Sequence, residues 1–188
     1  MGKIATVYTG ASDELLTMVR IALKKELGDN GFELLEYLDP SISDDMSSMG
    51  FVPMSAGIRM VDMYQKAVRD GAELIMTCCS SVGNIAKAAK PLYEMMGIRF
   101  LRIDEAMAEE AVKSGRRIGL IGTVPTTFAP STQLIEDTAH RLGKSVDVIP
   151  SMPENAFGLA HDAFKAKIKE ACNRILDSVD VILLAQAS

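Results

Sequence analysis

The sequence predicts a duplicated α/β protein built on parallel sheets, and three observations carry that prediction. Segments of strand character alternate with segments of helical period seven times along the 188 residues, which is how parallel sheets covered by helices look in sequence. The run Leu74, Ile75, Met76 is apolar without polar alternation, as expected for a strand buried on both faces, and it breaks into Thr77-Cys78-Cys79-Ser80-Ser81-Val82-Gly83. Finally, the chain resembles itself. Glu73-Leu-Ile-Met-Thr-Cys-Cys-Ser-Ser81 lies over Asp180-Val-Ile-Leu-Leu-Ala-Gln-Ala-Ser188, and Ile4-Ala-Thr-Val-Tyr-Thr9 over Ile118-Gly-Leu-Ile-Gly-Thr123. Thr9 then pairs with Thr123, Cys79 with Gln186 and Ser81 with Ser188. The repeat predicts two halves, 1–100 and 101–188, with a cleft between them lined by Thr9, Cys79, Thr123 and Gln186.

Taken in order, Ile4 to Thr9 reads as the first strand. Asp13 and Glu14 open a helix whose apolar face is Leu15, Leu16, Val19, Leu23 and Leu27, and Gly28 and Gly31 stop it. Phe32 to Leu38 is the second strand. Ser41 to Ala56 lacks a clear period and reads as a long loop, either a lid or a substrate loop. Ile58, Val61, Tyr64 and Val68 recur at helical spacing before the cysteine strand, and Asn84 to Met96 forms the helix after it. Ile98 to Ile103 is a fourth strand, and Asp104 caps the next helix with acidic first-turn residues behind it. Arg117 to Gly122 is the fifth strand, ending in the threonine-rich turn Thr123-Val-Pro-Thr-Thr127 ahead of a helix over 129–142. A sixth strand over 145–149, a long helix over 155–178 and a seventh strand over 181–185 complete the chain. That long helix lines up Phe157, Phe164, Ile168, Cys172 and Ile175, so Cys172 reads as core. His161 beside the stripe reads as a packed or capped histidine.

Composition narrows the function classes. Hydrophobic residues make up 48% and charged residues 24%, ordinary for a globular enzyme, and no apolar run approaches a membrane span. The first residues, Met-Gly-Lys-Ile-Ala-Thr-Val, carry no signal-peptide pattern, so a cytoplasmic location is expected. Three cysteines, two of them adjacent, make neither a disulfide framework nor a spaced zinc set. With a net charge of −5 and scattered cations, no nucleic-acid surface is expected.

The candidate chemistry sits where apolar strands break. A thiol just before a helix start gains from the amides and dipole there, and the hydroxyls of Ser80 and Ser81 add donors. The plain alternative is a pair of buried structural cysteines. Adjacent residues alternate faces in a strand, so only one of Cys78 and Cys79 points to the cleft. Cys79 is the expected one, being nearer the helix. The Gly122 to Thr127 turn offers Thr123 and Thr126 hydroxyls and free amides to an anion, or serves as a simple cap. Arg59, early in its helix, is either a solvated charge or a carboxylate clamp.

These residues carry a resemblance. The Cys-Ser-Ser-Val-Gly turn at 79–83, the Ile-Asp-Glu-Ala-Met-Ala-Glu stretch at 103–109, the Gly-Thr-x-x-Thr-Thr turn at 122–127 and the terminal Leu-Ala-Gln-Ala-Ser resemble the aspartate/glutamate/hydantoin racemase superfamily over nearly the whole chain. The resemblance implies a pseudo-twofold pair of flavodoxin-like domains that bind a small carboxylate without cofactor or metal, commonly as a homodimer. Members that racemise use two opposed cysteines. The first maps to Cys79 and the second to Gln186, a departure from the pattern. The superfamily also continues past the point matching Ser188 with a further strand and helix, so that return to the first domain is expected to be missing. A single thiol still supports isomerisation by covalent addition to a double bond, decarboxylation with stereospecific protonation, or slow one-base exchange. The competing class is a binding protein that closes on a small acid without turnover.

Overall fold

The computed structural model describes residues 2–28, 31–156 and 159–186. Contacts divide the chain into two compact units, one running to Ile103 and the other from Asp104 to Gln186. The first holds strands Gly2–Tyr8 (β1), Phe32–Leu38 (β2), Leu74–Thr77 (β3) and Arg99–Arg102 (β4), with helices Asp13–Leu27 (α1), Ser41–Met49 (α2), Met54–Arg69 (α3) and Gly83–Met95 (α4). In the second lie Arg117–Ile121 (β5), Asp147–Ser151 (β6) and Val181–Leu184 (β7), with Glu105–Ser114 (α5), Phe128–Arg141 (α6) and His161–Asn173 (α7).

Every strand pair is parallel. The sheet orders are β2-β1-β3-β4 and β6-β5-β7, so in each unit the first strand lies between the next two. The register repeats as well: Ile4 faces Leu74 and Val7 faces Thr77, as Ile118 faces Val181 and Ile121 faces Leu184. An order of 2-1-3 is the flavodoxin-like winding, whose crevice opens at the carboxyl ends of the two strands where the order reverses. Those strands are β1 and β3 in one unit and β5 and β7 in the other.

Each unit buries its own core. Ala5, Val7, Ile75 and Phe100 of the first sheet meet Met60, Tyr64, Ala86 and Tyr93 from the helices. The Tyr64 and Phe100 rings stand edge to face at 4.9 Å, and Tyr93 stacks on Phe100 at 5.5 Å, pairs that add about 0.5–1.5 kcal/mol each beyond their burial. In the second unit Ile118, Leu120 and Leu183 pack on Ala108, Val112 and Ile135. Gly119 makes room there, because a Cβ on it would lie 2.7 Å from Ile175 Cδ1.

Four expectations differ from the structure. The segment 41–56 is not a loop but mostly helix: α2 buries Ile42 and Met46 one turn apart, and Gly50 closes it with a left-handed φ of 73°. Two inward positions in a Ser- and Asp-rich nonamer give too little period to see in sequence. The helix expected over 155–178 is shortened to α7, and its stripe of Phe164, Ile168, Cys172 and Ile175 is only half-buried, so Cys172 is not core. Phe157 falls outside the described residues. His161 opens α7 in an exposed position rather than packing. Leu74 and Met76 are half-buried while Ile75 is fully buried, so β3 alternates instead of burying both faces.

Candidate functional site

In the first unit the carboxyl edge of β1 and β3 gathers Thr9 and the cysteine turn. The parallel ladder extends past β3, with the Cys78 amide donating to the Val7 carbonyl at 2.8 Å. Thr77 Oγ1 lies 2.8 Å from the Tyr64 hydroxyl, which ties the last β3 residue to α3. Alternation along the strand then puts Thr77 and Cys79 on the α3 face and Cys78 on the other. Half-buried Cys79 packs against the apolar core. Cys78 is buried, and its thiol donates to the Met76 carbonyl at 3.6 Å. Ser80 and Ser81, both buried, start the single 3-10 turn Ser80–Val82 that runs directly into α4.

Two residues that the sequence reading passed over also sit at this edge. Arg102, opposite Thr77 in the register, is 5% exposed, and its guanidinium covers Gly83 so closely that a Cβ there would meet Cζ at 2.4 Å. The signal was present: Arg102 stands two residues beyond buried Phe100, hence on the same inner face. Tyr8 is fully buried at the end of β1, and its hydroxyl has no hydrogen-bond partner among the described residues. Burial first, and the neighbouring Cys78 thiol next, push this phenol well above its ordinary range, so it remains a protonated donor.

In the second unit the corresponding edge carries Thr123 and Gln186. The Thr123 backbone amide and hydroxyl both donate to Gln186 Oε1, at 2.5 and 2.7 Å. A backbone N–H can only donate, which fixes the carboxamide oxygen toward Thr123 and turns the two Nε2 donors away from it. Gln186 stands two residues past β7, as Cys79 stands two past β3. Thr126 belongs to the 3-10 turn Pro125–Thr127 that leads into α6, and is half-buried. Gly122 lies under the Phe128 ring, where a Cβ would be 3.2 Å from Cζ. Asp104 stands at the expected N-cap of α5, buried, but makes no side-chain cap hydrogen bond.

Arg59 is occupied. Its guanidinium lies 3.5 Å from Asp39 and also contacts Asp45 and the Ser41 hydroxyl. Ser188, placed in the site by the repeat, lies outside the described residues. Among the described residues no group of three His, Cys, Asp or Glu side chains is arranged to hold a metal, and no helix is long and apolar enough to cross a membrane.

Two flavodoxin-like units, each with polar side chains at its switch point, define a small-ligand α/β protein, with a thiol turn in one unit and a carboxamide–threonine pair in the other. The chain belongs to the Asp/Glu/Hydantoin racemase family, whose model matches residues 10–188. That membership places it among the isomerases. Similar solved structures include a putative Asp/Glu racemase from Yersinia pestis (18% identity, TM-score 0.67, covering 97% of this chain and 85% of that one). The Picrophilus torridus aspartate racemase matches at 14% identity and TM-score 0.63 over 98% of this chain and 81% of its own. Allantoin racemase from Klebsiella pneumoniae matches at 16% and 0.62 over 99% and 74%. At such identities the likeness is one of fold. No curated protein matches the chain.

Proposed function

We propose that the protein is a cofactor-independent isomerase of a small carboxylic or amino acid that works through one thiol, Cys79, as base or nucleophile. Thr9, Ser80, Ser81, Thr123, Thr126 and Gln186 would supply hydrogen-bond donors to the carboxylate. The observation that carries this reading is the Thr123–Gln186 pair, with Gln186 standing where the resemblance to two-cysteine racemases implies a second thiol. A proton beside a carboxylate is weakly acidic, so its removal needs a placed base and donors aimed at the charge that develops on the carboxylate oxygens. Serine and threonine hydroxyls and the amides at the starts of α4 and α6 are donors of that kind. A carboxamide neither gives nor takes a proton near neutral pH, which makes two-base racemisation the wrong expectation and favours chemistry at a single thiol. Isomerisation about a double bond and decarboxylation followed by protonation both fit one thiol. A cytoplasmic homodimer completes the proposal.

A test is incubation of L-aspartate, L-glutamate and a hydantoin in deuterated water, following optical rotation and α-deuteration together. We expect no rapid racemisation. Rapid racemisation with deuterium entering at the turnover rate would require a second base and end the single-thiol reading. The binding-protein alternative predicts uniformly slow iodoacetamide labelling from pH 6 to 9, and a screen of malonates and unsaturated diacids separates the remaining reactions.

A further inference from the structure

We propose that Arg59 is a positioning residue that holds the start of α2 against the backbone of Thr9, and is not a substrate clamp; this rests on the reading above that Thr9 lines the carboxylate site. Residues from the end of β2 and from α2 meet at the guanidinium, which α3 carries. Asp39 follows β2, Ser41 and Asp45 belong to α2, and Arg59 itself belongs to α3, where its Nε also donates to the Ser55 carbonyl at 3.4 Å. Asp39 also shapes the turn itself, because its Oδ1 accepts the Ser41 amide at 3.1 Å and the Ser41 hydroxyl at 2.5 Å, the Asx arrangement that starts a turn. Its backbone amide meanwhile donates to the Tyr8 carbonyl at 3.2 Å, tying this corner to the end of β1.

The corner then reaches the site residue directly. The Ser43 amide donates to the Thr9 carbonyl at 3.3 Å, and Gly10 approaches so closely that a Cβ on it would stand 3.0 Å from Ser43 Cβ. The path of Thr9 out of the sheet is therefore set by where α2 begins. α2 needs outside help to begin there. Its sequence, Ser-Ile-Ser-Asp-Asp-Met-Ser-Ser-Met, is poor in helix formers, and its N-cap, Pro40, offers no side-chain bond. Arg59 supplies a planar fork, one arm of which reaches Ser41 and Asp39 and the other Asp45. Two carboxylates already face this one cation, so a third brought by a substrate would meet net negative charge.

The test uses the full chain, malonate as the probe, and three variants. For Arg59→Gln we expect the Ser43 amide to exchange with deuterium roughly tenfold faster, with the Ile75 amide unchanged, because only local opening is affected. Malonate affinity by calorimetry should fall about tenfold, and Arg59→Lys should recover roughly half of that loss on a logarithmic scale. Asp45→Asn decides between the two roles. A positioning role predicts weaker malonate binding, since the charged tie from Arg59 to Asp45 of α2 is weakened, whereas a clamp freed from a competing carboxylate would bind malonate more tightly. Tighter binding in Asp45→Asn, or unchanged Ser43 exchange in Arg59→Gln, overturns the proposal. If the native chain binds no malonate, the carboxylate reading fails by itself, and the exchange comparison still decides whether Arg59 holds the Thr9 turn.

Discussion

Cys79 and Gln186 occupy equivalent places past the third strand of their units, and the difference between a thiol and a carboxamide there sets the residue-scale predictions. Limited alkylation followed by mass spectrometry should label Cys79 ahead of Cys78, which is the more buried of the two. Preferential labelling of Cys78, next to the Tyr8 hydroxyl, would move the chemistry to the other face of the sheet. Replacing Thr123 with valine removes one of the two donors that fix the Gln186 oxygen, and malonate affinity should then weaken about tenfold, or about 1.4 kcal/mol. An unchanged affinity by calorimetry would remove that turn from the site. The Thr123–Gln186 juxtaposition was legible in sequence because the repeat aligned both residues to strand ends. Tyr8 and Arg102 were not picked out, since a phenol or guanidinium within an apolar strand looks like ordinary strand composition until its face is known. The role of Arg59 was beyond sequence for another reason. Its partner Asp45 lies in a segment that shows no period, and Asp39 stands just before that segment.

Among the elements, α4 and the starts of β5 and β7 make the sharpest claims. The first residue of α4, Gly83, leaves space that the buried Arg102 guanidinium fills. Gly83→Ala should displace that side chain and cost about 1–3 kcal/mol in urea unfolding, the usual range for overpacking. No loss of stability would show that the guanidinium moves aside freely. At the opposite edge of the second sheet, Asp180 accepts from the Arg117 side chain and from the Arg116 and Arg117 amides. The Arg117 side chain first, and its backbone amide next, hold this carboxyl down to about 2. Its folded value is depressed, so its contribution is complete above the ordinary value near 4 and disappears as pH falls from about 4 towards about 2. Asp180→Asn should therefore lower the melting temperature at pH 6, with the gap to the native protein closing below pH 4. A gap independent of pH would mean that the carboxylate charge contributes nothing. Strands and most helices were legible because their periods are strong. α2 and the shortened α7 were not, because one is stabilised by ties from neighbouring elements and the other buries only Ala171 fully.

At the scale of the whole molecule, two separate cores predict two separate opening energies. Native-state hydrogen exchange should give the Ile75 and Ile118 amides different values, and a single shared value would show that the chain opens as one cooperative body. The sheet orders bear on how the protein is made. In each unit the first strand to be synthesised is one that must be flanked on both sides, so β1 and β5 leave the ribosome before either of their partners exists. All four strands of the first sheet emerge before β6 and β7, which lets that sheet assemble on the nascent chain while β5 still waits with both edges bare. The interval between β5 and β7 is the period in which β5 has at least one edge open to the wrong partner.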